Sequence, residues 1–145
     1  MGIESLKAIA HRHRQFGWWS LLVFLLLGAG LELLHAFKAG YYLDVSNDTR
    51  RLLWILAHAH GALLALINLA YAASSSAETL NQKWWVRGST PLVVASLTLP
   101  AGFFLGGLVI HGSDPGLGIL LVPVGAVALL YAVLCAALAQ SSKQP

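Results

Sequence analysis

Apolar residues in this chain come in four long runs, at residues 17–37, 52–73, 91–110 and 117–139, separated by short polar connections. Each run has about the 20 residues that an α-helix, rising about 1.5 Å per residue, needs to cross a hydrocarbon core of about 30 Å. The pattern predicts an all-α integral membrane protein with four transmembrane helices in a single domain over residues 1–145. Residues 1–16 set Ile3, Leu6 and Ile9 against Lys7, Arg12 and Arg14, and read as a short basic arm lying at the membrane surface. His11 and His13 belong to that arm and are expected to be solvated. The first run follows basic residues as the apolar part of a signal peptide does. It is too long for that, and no small-residue cleavage pattern follows it, so it reads as a retained helix.

Composition agrees with this pattern. The chain is 57% hydrophobic and 10% charged, against about 25% charged in an ordinary soluble domain. The connections leave no room for a soluble catalytic domain, so any chemistry is expected in or at the membrane. Lys7, Arg12, Arg14, Lys83, Arg87 and Lys143 fall on the side of the N-terminus, the second connection and the C-terminus, against Lys38, Arg50 and Arg51 on the other. The positive-inside rule then places both termini in the cytoplasm, and the expected location is a bacterial cytoplasmic (inner) membrane. The net charge of +3 follows from this topology, and nothing about it calls for nucleic acid. Trp18, Trp19, Trp84 and Trp85 are expected at the cytoplasmic interface, with Tyr41, Tyr42 and Trp54 at the outer one. The single cysteine, Cys135, reads as buried filler. Gly102, Gly106 and Gly107 either permit a close helix contact or reflect the commonness of small residues in such helices. Pro100 and Pro123 are expected to kink their helices.

Polar positions inside the apolar runs carry the candidate chemistry. His58 and His60 lie within the second run, where an ionisable side chain is costly and marks a functional site by default. His35 and His111 fall at the same end of the membrane, so the histidine cluster is expected toward the outer face. Glu32, three residues before His35 and on the same helix face, is the one carboxylate in a spanning run. If buried, it needs a cation, a proton or a hydrogen-bond partner. Residues i and i+2 of a helix point about 200° apart, so His58 and His60 should serve two centres rather than chelate one ion. A haem on each flank would suit: its iron takes an axial imidazole and its ring needs apolar walls, which Leu53, Trp54, Leu56, Leu63 and Leu64 supply. Gly61, with Ala57, Ala59 and Ala62, would let a ring lie close to the backbone. The plainer alternative has one histidine bonded to a neighbouring helix and the other facing a polar crevice.

The segment 57–64, Ala-His-Ala-His-Gly-Ala-Leu-Leu, resembles the H-x-H helix of the haem-copper oxidase superfamily, most of all its nitric oxide reductase and C-type oxidase branches. In that family the helix gives one histidine to each of two haems and runs from the outside inward. The family's subunit is similar to three arcs of four helices, with haem-binding histidines on the second helix of an arc; this chain would be one such arc. The family's adjacent-histidine copper ligands and its tyrosine-bearing active-site helix have no counterpart here, so reduction of oxygen or nitric oxide is not implied. What the resemblance implies is a haem b protein for electron transfer. By analogy with the three arcs it would be a homotrimer, each interface clasping a haem between His58 of one chain and His60 of the next.

Arg50 and Arg51 would pair with haem propionates or serve as juxtamembrane charges. Glu32 and His35 are candidates for a second metal site, a proton-carrying pair or a quinone contact, and the redox partner is expected to be a quinone or a redox protein. His111 is expected to face solvent. Two competing readings remain open at this point. One is a haem-free copper, zinc or iron site built from Glu32, His35, His58 or His60, and His111; the other is an accessory subunit of a larger respiratory or photosynthetic complex.

Overall fold

A computed structural model describes residues 3–44, 48–76 and 80–141 of the chain. Four long helices dominate it: α1 (Ile3–Ala36), α2 (Thr49–Ala73), α3 (Gln82–Leu108) and α4 (Leu121–Ser141), with short 3-10 turns at Ser74–Ser76 and Leu117–Leu120. All four are long and apolar enough to cross a membrane, and no strand occurs among the described residues. Packing runs α1 on α2, α2 on α3 and α3 on α4, with a lighter contact between α1 and α3. The helices thus form an open row, in which α2 is flanked on both sides.

Two helices begin earlier than their apolar runs. α1 continues without a break through the stretch expected to be a separate surface arm. Lys, Arg, His and Gln are tolerated in a helix, and no Gly or Pro interrupts the stretch between Ile3 and Gly17. Leu6, Ala10, His13 and Gly17, spaced on one helical face, are all buried, so this segment packs on the bundle instead of lying flat. α3 starts at Gln82 rather than at 91, because Asn81 caps it by accepting from the Trp84 amide, and the Asn81 amide donates to the carbonyl of Ala139 at 2.8 Å. Pro91 and Pro100 both sit inside α3. Pro123, expected to kink α4, is its third residue, in the first turn, where proline is tolerated.

The aromatic residues divide differently from a simple belt. Trp18 and Trp19 are exposed on α1. Trp85 is fully buried and stacks on Tyr71, ring centroids 5.0 Å apart, in a core with Leu6, Ala10, Leu92 and Ala132. At the opposite end Tyr42 and Trp54 are buried with Leu31, and only Tyr41 of the expected outer aromatics is exposed. We call the end holding Trp85 the terminal end and that holding Trp54 the loop end. Cys135 is buried beside Gly88.

The glycines of α3 do permit close approach. A Cβ on Gly102 would lie 2.8 Å from Val122, and one on Gly107 would lie 2.7 Å from the Trp54 indole. Gly107→Ala should therefore displace Trp54 and its hydrogen bond to the Phe104 carbonyl, costing about 1–3 kcal/mol by overpacking. Gly30→Ala, with nothing within 4 Å of its Cβ, is the matched control and should cost nothing. Thermal unfolding of the two variants in detergent checks the difference; equal midpoints would refute it.

Candidate functional site

The H-x-H pair lies on α2, which has neighbours on two sides, and its imidazoles part as the helical geometry requires. His58 turns toward α1: its Nδ1 stands 2.7 Å from the carbonyl oxygen of Phe24. His60 turns toward α3: its ring lies 4.8 Å from that of Phe103, and its Nδ1 stands 2.9 Å from the Leu56 carbonyl one turn back in α2. A carbonyl can only accept, so in both rings Nδ1–H is the donor, and the neutral tautomer compatible with these bonds carries its lone pair on Nε2. Neither Nε2 makes a hydrogen bond among the described residues.

Gly28 is what lets His58 reach α1. In a regular helix the Phe24 carbonyl points at the amide of residue 28, whose side chain would shield it. With glycine there, the ring settles against the backbone; a Cβ would come within 2.4 Å of His58 Cε1. The corresponding expectation for Gly61 fails. The Phe24 ring fills that space, so closely that a Gly61 Cβ would lie 2.3 Å from it, and no larger ring can lie there.

On the α1 side of α2, a groove of about 450 Å³ gathers Glu32 and His35 of α1, Tyr42, and Arg51 and His58 of α2, with Gly28 in its wall. The i, i+3 spacing did place Glu32 and His35 on one face. Both are exposed on the surface of the single chain. Arg51 pairs with Asp48 at 2.9 Å.

Arg50, expected beside Arg51, works elsewhere. Its Nε donates to the Gly107 carbonyl at 3.0 Å and its Nη1 to the Tyr41 carbonyl at 2.9 Å, with the guanidinium 3.7 Å above the Tyr41 ring. Gly107 belongs to the last turn of α3, where carbonyls lack helical donors, so Arg50 caps that helix. Trp54 is likewise structural: it stacks on Phe104 at 5.4 Å and faces the α3 backbone, not the groove.

Among the described residues, no three His, Cys, Asp or Glu side chains stand together as ion ligands. The set Glu32, His35, His58 and His60 is divided by α2 itself, with His60 on the opposite flank. His111 is exposed, its backbone paired with Asp114. A single large cofactor with its own metal is a different matter. The His58 flank offers an imidazole whose Nε2 makes no hydrogen bond among the described residues, apolar walls from Leu25, Ala29 and Ile55, and the Arg51 cation in one groove, a donor set that fits a haem.

The residue most at odds with the sequence reading is His13, fully buried rather than solvated. Its Nδ1 is 2.6 Å from Asn68 Oδ1 and its Nε2 is 2.7 Å from Ser89 Oγ. Asn68 donates its amide hydrogens to the Leu64 carbonyl and to Ser96 Oγ, and the Ser96 hydroxyl donates to Leu92. The amide oxygen therefore faces His13, and Nδ1 must carry hydrogen. Arg12 donates to Ser89 Oγ at 2.5 Å, so Ser89 joins Arg12 and His13 in one polar cluster. The 6, 10, 13, 17 spacing was the available signal. No protein-family model, curated protein or solved structure matches the chain.

Proposed function

We propose that this chain is a membrane haem b protein that carries electrons, with His58 and His60 as the residues that would hold different haems. The observation that carries this reading is the state of the two imidazoles: each fixes its Nδ1–H on a backbone carbonyl and leaves Nε2 unengaged. That is how metal-ligating histidines are commonly oriented. The groove beside His58 supplies the apolar walls, and Arg51 supplies a guanidinium for a propionate. Glu32 and His35, at the same groove, are placed to exchange protons near it.

His58 and His60 are each only partly buried within the chain, so the reading includes a ring of identical chains, a homotrimer by the analogy of three arcs, in which His58 of one chain faces His60 of the next. A bound haem would supply one-electron transfer; the chain's part would be to hold it through His58 and His60 and to exclude water. The resemblance to haem-copper oxidases supports this electron-transfer role and not their reductive chemistry.

The test is the visible spectrum of detergent-purified protein. A Soret band is expected, and the His58→Ala, His60→Ala double variant should lack it; an unchanged spectrum in that variant ends the proposal. Gly28→Ala should act through His58 alone. The added methyl pushes the ring off the Phe24 carbonyl, so haem content should fall several-fold while helix content by circular dichroism holds. Full haem content in Gly28→Ala would mean that the Phe24 bond does not orient the ligand.

A further inference from the structure

The terminal end carries a second concave site that the haem reading does not use. A cavity of about 560 Å³ opens between the first turns of α1 and the residues Ser75 and Gln82. Its inner wall is apolar, from Leu6 and Ala10, both buried. Lys7, His11 and Arg14 line one side and Ser75 and Gln82 the other. The three basic residues are spaced i, i+4, i+7, so they form one stripe on α1, over roughly 10 Å of helix. All three are exposed, and no described ion pair engages them.

The same helix supplies the depth. Trp18 and Trp19 are exposed at 61% and 69%, as residues at the headgroup boundary of a membrane are. Arg14 lies one turn beyond them, roughly 6 Å further along the axis, the level at which lipid phosphates would meet it. Lys83 and Arg87, exposed at the start of α3, line a neighbouring groove that shares Gln82. A concave basic pocket with an apolar inner wall, at phosphate depth between two membrane helices, matches the chemistry of a phospholipid headgroup.

We infer that this pocket binds the phosphate of an anionic phospholipid, with Lys7 and Arg14 as the cations, Ser75 and Gln82 as hydrogen-bond donors, and Leu6 and Ala10 as the apolar wall behind the headgroup. The site stands whether or not the chain binds haem.

Native mass spectrometry of the full chain, released from detergent with phosphatidylglycerol, cardiolipin or phosphatidylcholine added, tests it. The two anionic lipids should be retained over phosphatidylcholine, and Lys7→Gln, Arg14→Gln should weaken that retention by roughly tenfold or more, since each basic residue contributes to anionic lipid binding. Lys38→Gln, at the loop end, should leave it unchanged. Both sets of residues are exposed, so these variants should fold, with circular dichroism as the check. Equal retention of all three lipids, or undiminished retention in the double variant, overturns the inference. Pyrophosphate serves as the soluble probe: if it binds through Lys7 and Arg14 while the lipids do not, the pocket is for a free anion and the lipid assignment is wrong.

Discussion

Replacing His58 alone by alanine is expected to change every haem in the assembly, not half of them. Each interface of the proposed ring takes His58 from one chain and His60 from its neighbour, so either single replacement removes one axial ligand from each iron. His58→Ala and His60→Ala should then give the same stoichiometric loss of the two-imidazole spectrum. If each chain instead held two haems independently, each single variant would keep about half the original absorbance, and only the double variant would lose all of it. His58 is only partly buried, so its truncation is expected to cost little stability, within the usual range of about 0.5–3 kcal/mol, and the helices should persist. His111→Ala, at an exposed position, is the control and should leave the spectrum intact. A half-intensity spectrum in both single variants would reject the shared interface and keep the ligands; an unaltered spectrum in either would remove that histidine from the site.

The contrast between His58 and His13 shows which parts of this molecule local rules reach. Four helices were legible because runs of about 20 apolar residues admit little else. The divergence of His58 and His60, and the shared face of Glu32 and His35, were legible for the same reason: a helix fixes the angle between near neighbours. Residues whose role depends on a second helix were not. Arg50 and Arg51 are adjacent and chemically identical, yet Arg50 caps the last turn of α3 while Arg51 faces the groove, and only the position of α3 decides between them. Gly61 offered space that a ring from α1 fills. Trp85 and His13 were assigned to the membrane surface by their place in the sequence, near basic residues. Each lies on the inward face of a helix that extends beyond its apolar run, which an apolar-length criterion does not detect.

The buried polar cluster around His13 leads to the largest expected loss of stability, and to a test of whether it acts as one unit. Asn68→Leu keeps the side-chain size but leaves the His13 Nδ1–H facing an apolar wall, and His13→Leu leaves the Asn68 amide oxygen without its donor. A buried orphan of this kind costs about 1–3 kcal/mol. The bond itself is worth less: polar contacts between membrane helices average about 0.6 kcal/mol, because the alternative states also find partners. The orphan penalty therefore dominates each single variant. The double variant, His13→Leu with Asn68→Leu, has no orphan on either side, and Ser89 can turn its hydroxyl to a helix carbonyl. Its destabilisation should fall short of the sum of the singles by more than about 1 kcal/mol, the coupling expected of directly bonded residues. Unfolding of the four proteins in detergent, followed by circular dichroism, gives the cycle. Strict additivity would mean that His13 and Asn68 are stabilised by separate surroundings and not by each other, and the hydrogen-bonded chain from Ser96 through Asn68 and His13 to Ser89 would not hold α1 to α2 and α3.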